Sequence, residues 1–294
     1  MKKNSSVVKK AAFLLSAGLG LFIAVMAVSA LNAKAMELVY EKRDYTVSAS
    51  GIEEIRIRAR NMPVKVTPSN GDEITVHYST CEKDPYEVTL DGGVLVLKYK
   101  NDIFTDISNW FSGIFNVFSN SNPRVEVLVP AAYAGTLQLE TSNAPINVSG
   151  LPSLGKVRIN TSNSPVEVSN ISALTVDAHT SNGAVTLDTA AVSGAVDMRS
   201  SNGTLTARQV VARGSLLMET SNGRIVVDQV AGAAIELKSS NGSITGTVEG
   251  KRSDYTISSH TSNGDDSLGD GGKGQFKLTV KTSNGNIDIR FLGE

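Results

Sequence analysis

The sequence predicts an all-β protein, a parallel β-solenoid (β-helix) with about 20 residues per coil, and three observations carry that prediction. A Thr/Ser-Ser-Asn motif recurs between residues 141 and 285, with its asparagines spaced 20, 19, 20, 20, 19, 22 and 21 residues apart. Apolar residues return at fixed offsets from each asparagine with the period-two alternation of half-buried strands. The first two motifs continue as Asn143-Ala144-Pro145 and Asn163-Ser164-Pro165. Alanine or serine there suits a type I′ hairpin poorly, which favours stacked coils over a meander of hairpins.

The chain opens with one N-terminal transmembrane helix or signal sequence, residues 1–36. Lys2, Lys3, Lys9 and Lys10 precede an uncharged run from Ala11 to Leu31. As a helix this run spans about 31 Å, enough to cross a bilayer core. Basic residues favour the cytoplasmic side, so the remainder of the chain is expected outside the cell membrane. Two readings stay open: an uncleaved single-pass anchor, favoured by the length of the run, and a signal cleaved at Ala33-Lys34-Ala35, which would release a secreted protein.

Residues 37–130 read as a divergent N-terminal β portion. Within it Ile55, Ile57, Asn61, Pro63, Val64 and Val66 fall where Leu137, Leu139, Asn143, Pro145, Ile146 and Val148 stand, a distant ninth copy of the repeat. Two further strands meet at Asp91-Gly92-Gly93. A short amphipathic helix is expected to interrupt the β portion at residues 102–119. There Ile107, Trp110, Phe111, Ile114, Phe115 and Phe118 share one helical face. That face either caps the solenoid core or docks on a membrane surface or partner.

Residues 131–294 hold the repeats, and the corner asparagines are Asn143, Asn163, Asn182, Asn202, Asn222, Asn241, Asn263 and Asn284. Six residues before them stand Leu137, Val157, Val176, Val196, Leu216, Ile235, Ile257 and Leu278, all apolar. Four before, only Ser259 departs from the apolar pattern. Three and five residues after, the apolar pattern returns, and eight after it resumes out of phase, so a bend is expected in between. Glu249 and Asp266 break the pattern at inward positions. At the corner, asparagine and glycine tolerate a left-handed backbone. Stacked asparagines can bond as a ladder, and serine and threonine hydroxyls can bond the nearby backbone. At the ordinary spacing between strands, eight coils stack to roughly 38 Å.

Charge and composition exclude several functions. Before Met36 there are five lysines and no acid, which leaves 23 basic and 29 acidic residues beyond it. That balance disfavours nucleic acid, whose phosphates need a basic surface. One cysteine, Cys81, permits no internal disulfide, and it reads as partly buried near a strand end. His179 and His260 share an outward position four coils apart, about 19 Å, too far to share a metal. Asp265, Asp266 and Asp270 match no calcium motif and read as a bulged loop. No nucleophile elbow, zinc motif or phosphate-binding loop is present. Asp177 and Asp197, on neighbouring coils, are the nearest thing to a glycosidase acid pair. No cofactor or metal is expected.

As a whole the sequence resembles the bacterial "putative-adhesin", or toastrack, family of envelope proteins, of the Lia-operon type. The residues that carry the likeness are Ile52–Tyr78 (IEEIRIRARNMPVKVTPSNGDEITVHY), Pro123–Leu151 (PRVEVLVPAAYAGTLQLETSNAPINVSGL) and the Ser-Asn-Gly coils through Thr282–Phe291 (TSNGNIDIRF). The resemblance implies a solenoid outside the membrane, a role near envelope stress and no enzyme activity. The expected function is therefore a non-enzymatic, membrane-anchored binding or sensing module. Its expected partners are an envelope glycan, a lipid or a membrane protein. A solenoid-type carbohydrate-active enzyme and a structural surface spacer are the alternatives.

Overall fold

The computed structural model describes residues 39–100 and 122–294. The apolar run 11–31 and the expected helix at 102–119, with Ile107, Trp110, Phe111, Ile114, Phe115 and Phe118, lie outside the described residues. Among those described there is no α-helix, and none long and apolar enough to cross a membrane. From Glu41 onward they form one compact all-β unit, a single 19-stranded network.

Pairing follows the sequence period. Strand Leu154–Asn160 lies parallel to Thr136–Glu140, with Val157 opposite Leu137 and Ile159 opposite Leu139. On the other side of the corner, Val166–Thr180 lies parallel to Ile146–Ser149, with Val166 opposite Ile146 and Val168 opposite Val148. Each coil thus adds one strand to a first face, turns at its asparagine, and adds one to a second face. The long strands Val166–Thr180, Leu205–Thr220 and Ile225–Ser239 then run through a short third side into the next coil. Alternation points every second residue inward, so columns such as Leu139, Ile159, Ala178, Met198, Met218 and Leu237 are buried one above another. Their removal from water is the main force holding the stack together.

The distant copy at Asn61 stacks in the register the sequence shows, with Ile55 opposite Leu137, Ile57 opposite Leu139 and Val64 opposite Ile146. One further coil lies beyond it. Val94–Tyr99 runs parallel to Glu54–Arg58, and Val125–Pro130 runs parallel to Val64–Ser69. Antiparallel strands close this end of the stack: Tyr86–Asp91 against Val94–Tyr99, and Glu41–Ser48 against Glu73–Thr80. Gly92 and Gly93 both have positive φ, 54° and 78°, as a two-residue hairpin turn demands.

Four sequence expectations are corrected. First, the left-handed residue of five coils is not at the Ser-Asn-Gly corner. It lies seven residues beyond the asparagine, at Gly150, Asn170, Thr189, Gln209 and Gln229, with φ of 76°, 52°, 52°, 49° and 55°. This is the bend that throws the inward pattern out of phase. Second, the coil after Asn241 is one residue short there. Val248 takes the inward place opposite Val230, and Glu249 turns to solvent. Gly246, at φ 137°, absorbs the irregularity.

Third, the last two coils stack in reverse order. Phe276–Thr282 pairs with Ile225–Ser239, and Ile287–Phe291 pairs with Ile244–Val248, so the final coil slots inside Tyr255–Thr261. The final coil keeps Leu278, Val280, Ile287 and Ile289 inward, all buried. The earlier coil offers Ser259 and Asp266 at the matching places. Stacking the apolar coil against the core buries more hydrocarbon and leaves the polar one outermost. Fourth, that order separates His179 from His260 by five coil steps rather than four, about 24 Å.

The outermost coil also guards its own edge. Ile257 donates its N–H to the Gly271 carbonyl at 2.7 Å, and the Gly271 N–H returns to the Ile257 carbonyl at 3.2 Å. The Ser259 N–H is taken by Asp270 Oδ1 at 2.7 Å. Loop 262–274 therefore occupies backbone groups that would otherwise invite another strand.

Candidate functional site

The recurring tetrapeptide does three separate things at one corner. Its asparagines face solvent and bond in one direction along the stack. Nδ2 of Asn143 donates to Oδ1 of Asn61 at 2.8 Å, Asn163 to Asn143 at 2.6 Å, and Asn182 to Asn163 at 2.7 Å. Asn202 donates to Asn182 at 2.6 Å, then Asn222 to Asn202 and Asn241 to Asn222 at 2.7 Å each. Asn284 follows Asn241 at 2.7 Å, and Asn263 follows Asn284 at 2.8 Å.

Two residues before most of the asparagines, a buried hydroxyl joins adjacent coils. Ser200 accepts the Gly203 N–H at 2.8 Å and donates to the Gly183 carbonyl at 3.1 Å. Thr220 and Ser239 make the same pair of bonds one and two coils on. The glycine lets backbones approach: a Cβ on Gly183, Gly203, Gly223 or Gly242 would overlap the carbonyl of the coil beneath. The amides and hydroxyls are spent on one another and on the backbone, so this corner is architecture.

The first face carries the chemistry of the surface. Outward positions on this face hold opposite charges side by side, both within strands and across them. Arg58 meets Glu140 at 3.3 Å, and Lys156 and Arg158 meet Asp177 at 3.1 and 3.8 Å. Arg199 bonds Asp197 at 2.8 Å and Glu219 at 2.9 Å, while Lys238 pairs with Glu236. The hydrogen bonds that Arg199 donates to Asp197 raise the Arg199 pKa above its ordinary value. His179 Nε2 sits 3.4 Å from Asp197 Oδ1, an ion-pair distance without hydrogen-bond geometry. Asp177 and Asp197 are indeed register partners. Each is already held by cations, an arrangement that suits a charge zipper rather than an acid–base pair. The described residues include no cluster of three or more His, Cys, Asp or Glu able to hold a metal. Asp266, half-buried, accepts the N–H groups of Leu268 and Gly269, both at 3.0 Å.

A groove of about 1000 Å³ opens where three turns converge, lined by Ser50, Glu53, Asn70, Asp72, Tyr133 and Thr136 among others. Burial pushes the Tyr133 phenol pKa up, and its hydroxyl donates to the Thr136 carbonyl at 3.1 Å. Gly135 leaves the room this ring needs, since a Cβ there would overlap it. The groove had no sequence signal, because its walls come from turns far apart in the chain. Cys81 is half-buried just past the strand Glu73–Thr80, its backbone bridged to Asp84.

The family model described as Toastrack DUF4097 matches residues 52–290. No curated protein matches the chain. Among solved structures, a "putative adhesin" from Bacteroides fragilis NCTC 9343 is 13% identical with a TM-score of 0.49, covering 86% of this chain and 97% of its own. A "putative adhesin" from Parabacteroides distasonis ATCC 8503 is 12% identical with a TM-score of 0.37, covering 85% and 97%. A "putative lipid binding protein" from the same organism is 14% identical, also at 0.37, covering 85% and 97%.

Proposed function

Because the chain belongs to the Toastrack DUF4097 family, we propose that it is a non-enzymatic β-solenoid, anchored by its N-terminal run, that presents flat sheet faces outside the cell membrane as a binding or sensing surface. Its ligand is an envelope glycan, a lipid or a partner membrane protein. The Lia-operon-type resemblance links that work to envelope stress. The observation that carries the reading is the first face itself. Paired charges from Arg58 to Lys238 make a rigid, flat, polar surface. The two carboxylates best placed for catalysis are tied up within it.

The test is co-sedimentation of the full chain, in mild detergent, with isolated lipid-free wall material, and its capture by nanodiscs made from separated membrane fractions. The expected result is specific retention by one of them, equal for wild type and for folded Asp177→Asn and Asp197→Asn variants. Retention by neither overturns the binding reading. Release of sugar fragments by wild type, lost in the aspartate variants, would replace it with a carbohydrate-active enzyme.

A further inference from the structure

The charge zipper of the first face stops before the stack does. Going outward, the column that carries the acids runs Asp177, Asp197, the apolar Leu217 and Glu236, then continues as Thr279 and Ser258. The neighbouring column keeps its cations. Lys238 is the register partner of Lys281, and Lys281 of His260, so three nitrogen side chains stand side by side on consecutive strands, about 4.8 Å apart. Lys277 lies four residues before Lys281 on the same strand and face, about 13 Å away. Lys277, Lys281 and His260 are exposed. Among the described residues Lys238 has Glu236 as its partner, whereas Lys277 and Lys281 have no carboxylate within ion-pair distance. Of the carboxylates on the last two coils, Asp288 is in ion-pair contact with Arg290, and Asp254, Asp266 and Asp270 accept backbone N–H groups. Asp254 accepts the Lys251 N–H at 2.9 Å, and Asp270 accepts the Ser259 N–H at 2.7 Å.

Like charges directly opposite one another on adjacent strands destabilise a sheet. On the inner coils Arg158 and Arg199 offset that cost with an acid in register, Asp177 and Glu219. Here it is left standing, beside exposed hydroxyl-bearing residues. We propose that Lys238, Lys277, Lys281 and His260 form a docking patch for a linear phosphodiester polyanion of the cell envelope, laid across the last coils. This inference rests on the binding-module reading and names its ligand class. Lysine is a point-charge phosphate binder, and hydroxyls add further donors to phosphate oxygens. The patch is flat, so a lone phosphate has no enclosing donors, whereas one extended chain engages several cations at once. The residues between the cations are Thr256, Ser258 and Thr279. They offer no apolar group to insert into lipid, which sets this surface apart from an interfacial membrane contact.

The test uses the full chain in neutral detergent, with binding to poly(glycerol phosphate) followed by biolayer interferometry across a salt series. Inorganic phosphate and phosphatidylglycerol nanodiscs run as separate arms. Wild type is expected to bind the polymer with strong salt dependence, and neither other arm comparably. The folded Lys277→Gln/Lys281→Gln variant should bind the polymer at least tenfold more weakly. Its slope of log affinity against log salt should be shallower by about 1.4, two charges at about 0.7 each for a single-stranded polyanion. Lys156→Gln, which removes a paired lysine from the same face, should change little. No polymer binding by wild type, equal loss with Lys156→Gln, or preference for the nanodiscs overturns the proposal. Retention of the double variant on whole wall material, with polymer binding unaffected, would overturn the patch while leaving the binding module intact.

Discussion

Gly203 stands directly over Gly183: a Cβ added to Gly203 would overlap the Gly183 carbonyl oxygen, the atom that also accepts the Ser200 hydroxyl at 3.1 Å. The obstacle is backbone, which cannot swing aside as a side-chain tip can. Gly203→Ala is therefore expected to cost about 3 kcal/mol or more in urea unfolding. Ser201→Ala, on the exposed neighbour, should stay within about 0.5 kcal/mol. Equal, small effects for both would mean that the coils can part without penalty.

The buried hydroxyl and the exposed amide of one corner should differ in worth. Thr220→Val leaves the Gly223 N–H without its partner in a buried site, an expected loss of about 1–3 kcal/mol. Asn222→Ala breaks two ladder bonds, but water reaches the groups left behind, so about 1 kcal/mol is expected. Chemical denaturation of the two variants checks the order. A reversed order would make the amide ladder the stronger element.

Thr189 is a β-branched residue at φ 52°. The left-handed region costs an L-residue roughly 1–2 kcal/mol, least for asparagine. Asn170 fills the same place one coil earlier. Thr189→Asn should stabilise the protein by about 0.5–1 kcal/mol, read as a raised melting temperature. A lowered one would show that the Thr189 hydroxyl bonds to Asp188 and Gln209 outweigh the backbone strain.

Ser259 carries a buried hydroxyl oxygen without a hydrogen-bond partner, at a position apolar in the other coils. Ser259→Ala removes the orphaned group and should stabilise by about 1 kcal/mol. Asp270→Ala should act oppositely. It frees the Ser259 N–H on the outermost strand, so concentration-dependent self-association is the expected change in light scattering.

Burial raises the phenol pKa values of Tyr86, Tyr133 and Tyr255 above their usual range. A raised folded pKa means that the folded state holds its proton more tightly than the unfolded chain. The stability tied to these protons is fully present below the unfolded value, about pH 10, and is lost as pH rises beyond it. Unfolding free energy should fall above about pH 10, and the fall should be shallower in Tyr86→Phe and Tyr133→Phe. An unchanged slope in both variants would assign the alkaline loss to other groups.

The asparagine spacing and the inward columns were legible in the sequence because each depends only on local period. The match of Ile55 and Ile57 to Leu137 and Leu139 was legible for the same reason. The motif glycine was legible as a position but not as a cause. Its role is close approach between coils, a property of two segments about 20 residues apart. The left-handed bend at Asn170, Thr189, Gln209 and Gln229 left no common residue type to read, since packing on either side forces the backbone there.

By itself, then, the sequence determined that this chain forms strands, where each turns and which residues face inward, because alternation and period are written one residue at a time. Tertiary structure alone decided the order in which the coils stack. Phe276–Phe291 displaced the coil of Tyr255–Thr261 from the core because its inward residues are all apolar, while Ser259 and Asp266 are not. It likewise decided which charges find partners. Asp197 gains Arg199 along its own strand and His179 across strands, while among the described residues Lys277 and Lys281 gain no acid. A charge is paired by its neighbours in space, and those are set only once the stack has formed.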